Sequence, residues 1–305
     1  MALLGNFRED YILLPTAKGR KKFSIGIGGV GLSFIFDQDL PKLGLEGMNS
    51  IFIKEMGDDI KLKVHRGHVP KFRRKEKIFD SDTTWALYLS EGKYVLQNDT
   101  LEPGSSPTLF VVLEPDFKSG DIYISDDSFD RDLFPDPLGY PLNQILMILL
   151  LSRGKGIVLH ACGVDDRGAG HLFLGLSGHG KSTMAKLWFE NQATVLNDDR
   201  IVVREKNGEF WMYGTPWHGD FRELSPSALL VQDIFFLRRG EKNRVFQKNG
   251  AEAVAMLLAR SFPPLWDKNG MTFTTQLCQR IVTKIPCYEL SFMPGADVVD
   301  FVRNL

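Results

Sequence analysis

The sequence has little net charge, few cysteines and no long hydrophobic run. Its 37 Lys and Arg nearly balance its 38 Asp and Glu, so the formal net charge is −1 at pH 7. This balance creates no overall field that would attract a nucleic acid or an anionic membrane. The most apolar stretch, residues 145–151, is too short to cross a bilayer and instead predicts a buried helix.

The cysteines and the N-terminus favour a cytoplasmic protein. Cys162, Cys278 and Cys287 show no metal-ligand spacing, and an odd number leaves one unpaired under oxidising conditions. Residues 1–10 lack the basic and then apolar layout of a signal peptide. The 305 residues are 43% hydrophobic and 25% charged, which is typical of a soluble globular protein with about two domains.

Residues 1–137 predict a β-rich domain that recognises a substrate or partner. Short β-branched or aromatic runs bounded by turn residues indicate its strands. A turn-rich acidic stretch at 125–137 predicts the domain boundary. The predicted strands cover residues 23–25, 32–36, 51–54, 85–89 and 109–113.

A G-x-G-x-x-G pattern occurs at residues 26–31 of this domain. A dinucleotide-binding fingerprint requires a helix directly after the glycines. Residues 32–36 alternate like a strand instead, so the pattern predicts a β-hairpin.

A basic segment spans residues 61–77. It could contact an anionic peptide or a phosphorylated substrate, or it could be a solvated charged loop. His65 and His68 in this segment have no carboxylate or cysteine nearby in sequence, so they do not predict a metal site.

Residues 138–305 predict an α/β domain with a mixed sheet and flanking helices, because helical and strand-like patterns alternate. A helix is expected at 142–151, a buried strand at 156–164 and a hairpin turn at 165–170. An apolar strand at 172–174 and a helix at 182–189 enclose a glycine-rich loop.

That loop matches G-x-x-x-x-G-K-[ST] at Gly175, Gly180, Lys181 and Ser182. Its backbone N–H groups and the following helix N-terminus are expected to hold the phosphates of ATP. Lys181 reaches the outer phosphates, and Ser182 offers its hydroxyl to Mg²⁺. The other predicted nucleotide-binding residues are Ser177, Gly178, His179 and Thr183.

Asp198 and Asp199 follow the apolar run 194–196. In a parallel sheet they would lie at the same edge as the loop, and neighbouring strand residues point to opposite sides. One could therefore hold Mg²⁺ while the other faces an acceptor hydroxyl, although an acidic β-turn is the alternative. Asp233 is a competing carboxylate, but its apolar run continues, which favours a strand broken at the sheet surface. His160, at the end of its strand, is by itself typical of a hydrogen-bonded structural histidine.

Residues 158–161, 175–183 and 196–200 together resemble the catalytic domain of HPr kinase/phosphorylase, a P-loop kinase family related to phosphoenolpyruvate carboxykinase. The spacing also agrees, with 15 residues from His160 to Gly175 and 17 from Lys181 to Asp198. The resemblance covers residues 138–305. The C-terminal part is also similar to HPr-kinase-related proteins of peptide-modification gene clusters.

This resemblance implies a role for each matching residue. Lys181 becomes the phosphate-binding lysine, and Ser182 and Asp198 become the Mg²⁺ side. Asp199 becomes the base that takes the proton from an acceptor serine, with His160 close to the phosphates. The implied activity is ATP/Mg²⁺-dependent phosphorylation of a Ser/Thr-type hydroxyl on a peptide or protein, in a possible homo-oligomer. HPr itself does not carry over as acceptor, because Thr183 replaces the family's glutamate and its later glycine-rich signature is not found.

Two other functions stay open on the sequence. One is a non-catalytic ATP-binding accessory or sensor protein of a peptide-maturation pathway. The other is a small-molecule kinase such as adenylyl-sulfate kinase, although the paired aspartates and the long N-terminal half argue against it. Trp217, His218 and Arg222 could contact the substrate or belong to a packed loop.

Overall fold

The chain folds into a mixed α/β structure with two large mixed sheets and, in the residues described, five helices. This computed structural model describes residues 11–14, 22–36, 43–46, 51–54, 57–67, 76–82, 85–98, 109–125, 138–139, 142–295 and 297–305. Two compact units are present. The first takes in the described residues up to Gly26 and from Val30 to Leu146, and the second contains Ile27–Gly29 and Met147–Leu305. The predicted boundary at residue 137 and the acidic stretch 126–137 lie outside the described residues.

Strands make up most of the described residues of the first unit, as the short β-branched and aromatic runs predicted. They are β1 (Tyr11–Leu14), β2 (Lys22–Ile27), β3 (Val30–Phe36), β4 (Leu43–Glu46), β5 (Ile60–Arg66), β6 (Glu76–Asp80), β7 (Trp85–Ser90), β8 (Lys93–Asn98), β9 (Leu109–Leu113) and β10 (Ser119–Ile124).

Eight of these strands form one sheet in the order β2-β3-β5-β10-β9-β8-β7-β6, and β1 pairs with β4 separately. The sheet is mixed because β5 runs parallel to both β3 and β10, whereas the strands from β10 to β6 pair antiparallel with one another. In β5, buried Ile60, Leu62 and Val64 alternate with exposed Lys61 and Lys63. Strand periodicity therefore turns these two lysines of the basic segment to solvent.

Two details of the first unit test the sequence predictions directly. The glycine-rich pattern at 26–31 is confirmed as a hairpin, with its turn at Gly28 and Gly29 between β2 and β3. The predicted strand at 51–54 is wrong, since Ile51 and Phe52 form a 3₁₀ turn and only Ile53 makes an isolated bridge. Phe52 is buried there, so apolar character reflects packing and not strand pairing.

The basic segment contains one described histidine. His65 lies 2.8 Å from Asp121 through its Nε2 atom and stacks on Tyr123. His68 lies outside the described residues.

The second unit alternates strands and helices, as predicted. Its strands are β11 (Ile157–Asp166), β12 (Ala169–Leu174), β13 (Thr194–Asn197), β14 (Arg200–Lys206), β15 (Glu209–Tyr213), β16 (Ala228–Arg239), β17 (Arg244–Lys248) and β18 (Cys287–Phe292). The helices in the described residues are α1 (Leu142–Leu151), α2 (Lys181–Glu190), α3 (Gly250–Leu258), α4 (Lys268–Lys284) and α5 (Asp297–Arg303).

Two long strands organise this sheet. The order is β12-β11-β14-β15-β16-β18-β17, β13 also pairs with β11, and β12 pairs with β16 as well. The pairings therefore close a circuit through β11, β14, β15, β16 and β12. β11 uses its first half against β14 and its second half against β12 and β13. β16 likewise pairs first with β15 and then with β12 and β18.

Side-chain alternation along β12 and β16 creates a core on each face. Leu172 and Leu174 belong to the cluster that also contains α3 and α4 residues. Phe173 belongs to the other cluster, which includes Trp188 of α2 and Val299 of α5. The helix carrying the glycine-rich loop is thus fixed to the sheet by its own buried face.

The local predictions around the loop hold. Helix α1 has the predicted bounds, and the expected turn at 165–170 is the β11–β12 hairpin. The Asn207–Gly208 turn joins β14 to β15. No helix among the described residues reaches the length and apolar character that a membrane crossing requires.

Candidate functional site

The glycine-rich loop connects β12 to α2 in a conformation that only glycine adopts easily. Gly178 and Gly180 have φ values of +78° and +95°, in a region that side chains disfavour. Gly180 is also the N-cap of α2, and a Cβ there would lie 2.7 Å from the Phe292 ring. The loop consequently needs glycine at this position for its backbone and for its packing.

The side chain of Lys181 forms hydrogen bonds with the backbone of its own loop. Its Nζ donates to the carbonyl of Gly175 at 3.0 Å and to that of Leu176 at 3.5 Å. Burial lowers the pKa of the Lys181 ammonium from its ordinary value, although the charges of Asp199 and Asp198 act in the opposite direction. A partly desolvated ammonium at the N-terminus of a helix is well placed to bind an anion.

Strand directions bring the carboxylates to the same edge as this loop. β12 and β13 each pair antiparallel with β11, so both run in the same direction and end at one edge. The predicted mixed sheet is confirmed: β12 and β13 are not neighbours in a parallel sheet, because the antiparallel strand β11 lies between them. His160 lies inside β11 and not at a strand end, but its position near the start of β11 places it at that edge.

Asp198 is buried at 1% exposure and accepts three hydrogen bonds. The Ser182 hydroxyl donates to Oδ2 at 2.6 Å, and the Phe221 N–H donates to the same oxygen at 3.0 Å. The Gly219 N–H donates to Oδ1 at 2.6 Å. Asp198 thus joins the first turn of α2 to the segment 219–221.

Asp199 has a separate set of partners. His160 Nε2 lies 3.3 Å from its Oδ1, and the Arg200 guanidinium donates to its Oδ2 at 2.5 Å. Burial raises the pKa of the Asp199 carboxyl, but the His160 hydrogen bond and the positive charges of Arg200, His160 and Lys181 outweigh it. The net pKa lies below the ordinary 3.8. Asp199 is therefore an ionised group at neutral pH.

The turn that carries both carboxylates is held by a buried amide. Asn197 Oδ1 accepts the backbone N–H groups of Asp199 at 2.6 Å and of Arg200 at 2.8 Å. Its Nδ2 donates to the carbonyls of Thr215, at 3.0 Å, and of Trp217. The predicted alternative, an acidic turn, is thus present here, and it presents the two carboxylates to different partners.

One cavity of about 300 Å³ collects these groups within the second unit. The predicted site residues line it, apart from Gly175 and His179. Gly175 instead supplies the carbonyl that accepts Lys181, and His179 donates from Nδ1 to the carbonyl of Leu237 at 3.1 Å. Both residues support the loop from outside the cavity.

Three lining residues were missed by the sequence reasoning: Gly219, Asp220 and Arg239. Gly219 and Asp220 directly follow Trp217 and His218, which were singled out, so the segment was correct but the residues were not. Arg239 is the last residue of β16, and no sequence pattern around it indicates a place near the loop.

The remaining candidates lie elsewhere. Trp217, His218 and Arg222 do not line the cavity. Asp233 does not line the cavity either. Its carboxylate lies 2.8 Å from the Nδ1 of His171 on the paired strand β12. The prediction of a strand broken at Asp233 is wrong, since β16 runs unbroken from Ala228 to Arg239. The buried His171 partner explains how a carboxylate is accommodated in mid-strand.

The cavity residues fit a nucleotide phosphate and Mg²⁺. Lys181, the loop glycines and the α2 N-terminus form an anion-binding arrangement. Ser182 and Asp198 offer a hydroxyl and a carboxylate already 2.6 Å apart. The described residues contain no cluster of three or more His, Cys, Asp or Glu suited to a metal. The Ser182 hydroxyl and the Asp198 carboxylate suit Mg²⁺, which uses one or two carboxylates together with substrate phosphates and water.

Comparison with known proteins adds no assignment. No protein-family model matches the chain, and no curated protein matches it significantly.

Proposed function

We propose that the chain is an ATP/Mg²⁺-dependent kinase that transfers a phosphoryl group to a Ser/Thr-type hydroxyl of a peptide or protein. The observation that carries this proposal is the single cavity where Lys181, the Ser182–Asp198 pair and the His160–Asp199 pair meet. Phosphate binding, metal binding and proton acceptance are the three tasks that such a transfer requires of the protein.

The proposal includes the finer fold assignment. Residues 138–305 would form an HPr-kinase-like P-loop domain, and residues 1–137 a domain for substrate or partner recognition. Support comes from the spacing of His160, the loop and the Asp198–Asp199 pair, together with their placement around one cavity. A cytoplasmic location and a possible homo-oligomer belong to the same proposal.

Each cavity residue has a distinct task in this proposal. The Lys181 ammonium exchanges its carbonyl partners for phosphate oxygens. The negative phosphate oxygens stabilise the positive charge that burial has partly removed from water. Ser182 and Asp198 would hold Mg²⁺, directly or through water. Bound Mg·ATP supplies the phosphoryl group and neutralises the charge that develops on it.

Asp199 orients the acceptor hydroxyl and takes its proton. Its lowered pKa makes it a weak base, but a loose phosphoryl-transfer transition state asks mainly for positioning. The contact with His160 Nε2 fixes the carboxylate on the Oδ1 side, and Arg200 fixes it on the Oδ2 side. The acceptor oxygen must therefore approach through the part of the carboxylate that faces the cavity.

A non-catalytic ATP-binding protein is the second candidate, and one observation favours it. Both oxygens of Asp199 and both oxygens of Asp198 already have partners inside the protein. A sensor could use such a network to fix its structure when a nucleotide binds, with no transfer.

Labelled ATP separates the two candidates. The full-length protein, Mg²⁺ and ATP labelled at the γ-phosphate are incubated with Ser- and Thr-containing peptides. The kinase proposal expects labelled peptide from the wild type and none from Asp199→Asn, which should still bind nucleotide. A wild type that binds ATP but labels no acceptor in a broad peptide library indicates the sensor.

Lys181→Ala tests the nucleotide site itself. We expect it to lose ATP binding, because the loop then lacks its only buried ammonium among the described residues. Lys186→Ala is the matched control, since Lys186 lies on the same helix with its side chain 68% exposed beside Glu190. Equal ATP affinity in the two variants would contradict the assignment of the loop.

A further inference from the structure

Arg239 lies at the edge of the cavity and belongs to no part of the sequence pattern. It is the last residue of β16 and pairs with Phe292 of β18. Phe292 in turn packs where a Cβ on Gly180 would lie. Two residues before Arg239, the carbonyl of Leu237 accepts the hydrogen bond from His179. The backbone around Arg239 is therefore tied to the glycine-rich loop at two points.

The neighbouring arginine shows how specific this position is. Arg238 has its guanidinium 3.5 Å from Glu289, and it does not line the cavity. Adjacent strand residues point to opposite sides, so Arg239 turns away from that carboxylate and lines the cavity. Within the part of the chain that the structure describes, Arg239 has no carboxylate partner.

The cavity has unlike flanks on the two sides of β12. On the β11 side stand His160, Asp198 and Asp199. Asp220 lies on the same side, between Gly219 and Phe221, whose N–H groups donate to Asp198. On the β16 side stands Arg239, and Lys181 lies between the two flanks at the start of α2. The carboxylates attract the metal, so the flank without them is left for the negative charge of the phosphates.

We infer that Arg239 binds the terminal phosphate of a nucleoside triphosphate from the flank opposite the carboxylates, and that it makes the site prefer a triphosphate to a diphosphate. This inference rests on the proposed nucleotide site but not on the identity of the acceptor. A guanidinium presents paired N–H donors that match two phosphate oxygens at once. The exposed guanidinium of Arg239 can donate to water, which a phosphate can replace.

Calorimetric titration of the full-length protein tests this, with a non-hydrolysable ATP analogue and with ADP, both in the presence of Mg²⁺. In Arg239→Ala we expect the Kd of the ATP analogue to rise about tenfold, the loss of one charge-assisted phosphate contact, or about 1.4 kcal/mol. The Kd of ADP should stay within about twofold of the wild-type value, since the contact is to the terminal phosphate. Arg238→Ala is the matched control and should change neither constant.

Arg239→Lys should recover part of the lost affinity for the ATP analogue, because a point charge remains but the paired geometry does not. Unchanged affinity for the ATP analogue in Arg239→Ala, or an equal loss for ADP, overturns the inference and leaves the proposed kinase function standing. A wild type that binds neither nucleotide overturns both. Circular dichroism of each variant shows that the fold is intact.

Discussion

Asp198→Asn is the substitution whose effect on stability can be worked out most fully from the structure. The variant keeps the size of the side chain but replaces one acceptor oxygen with an N–H₂ donor. Asp198 accepts backbone N–H groups on both oxygens, from Gly219 and from Phe221. Whichever way the amide turns, one of these N–H groups then faces a donor. The Ser182 hydroxyl can rotate to adapt, but a backbone N–H cannot.

The expected loss of unfolding free energy is about 2–3 kcal/mol. One buried N–H left without an acceptor costs roughly 1–3 kcal/mol, and the hydrogen bonds that remain lose their charge assistance. Relief of repulsion with Asp199 offsets part of this. Urea unfolding followed by tryptophan fluorescence measures the change, since Trp188 and Trp217 are both buried in this unit.

Asp220→Asn is the control for this prediction. Asp220 lines the same cavity but is exposed, so its substitution should change stability by less than about 0.5 kcal/mol. A loss below about 0.5 kcal/mol for Asp198→Asn would refute the reasoning, because it would mean that the turn does not depend on the carboxylate. Addition of Mg·ATP should stabilise the wild type more than Asp198→Asn.

Further predictions concern the loop and the C-terminal helix. Gly180→Ala should abolish nucleotide binding and lower the unfolding free energy by about 1–3 kcal/mol. Gly168 has a φ of +94° and open space around it, so Gly168→Ala reports the backbone strain alone. Equal effects of the two substitutions would contradict the role of Phe292 in shaping the loop. Arg303→Ala should lower the unfolding free energy by about 2–3 kcal/mol, because Arg303 donates two hydrogen bonds to Asp166 and one to the carbonyl of Asn191. Lys186→Ala is the control, because Lys186 lies in an exposed ion pair and its loss should lower the unfolding free energy by less than about 0.5 kcal/mol. The Arg303 hydrogen bond holds the pKa of Asp166 below its ordinary 3.8, so its stabilisation is present above about pH 4 and is lost as the pH falls below that value; Asp166→Asn should therefore flatten the fall of stability between pH 4 and 2, and an unchanged slope would argue against it.

The local parts of the site could be predicted from sequence because local geometry sets them. The four fixed residues of the loop lie within eight positions, and the glycines announce both the turn and the helix start. The hairpins at 26–31 and 165–170 follow from the same kind of signal, since glycine-rich turns between apolar runs have few alternatives. The Asp198–Asp199 pair was also found, although its place at the edge was inferred for parallel strands and the antiparallel strand β11 lies between β12 and β13.

The parts that were missed depend on pairing between distant segments. Arg239 reaches the cavity only because β16 lies beside β12, and the hydrogen bond from His171 to Asp233 across these strands joins residues 62 positions apart. A shift of one residue would turn Arg238 to the cavity and Arg239 to Glu289. The same pairing explains Asp233, which looks like a strand break until its histidine partner is known. Sequence periodicity cannot supply either register.

The side chain of Asn197 has a consequence for how the cavity can move. One carboxamide holds the turn of Asp199 with its oxygen and the 215–217 segment with its nitrogen, and Asp198 fastens the next residues of that segment. The Asp198–Asp199 turn and the segment 215–221 are therefore held together and should move only as one unit. Adjustment to a ligand is expected on the opposite side, where Ser177, Gly178 and Arg239 are exposed and have no such hydrogen bonds to Asn197 or Asp198. The acidic side would therefore stay fixed when a ligand binds, and the basic side would move toward it.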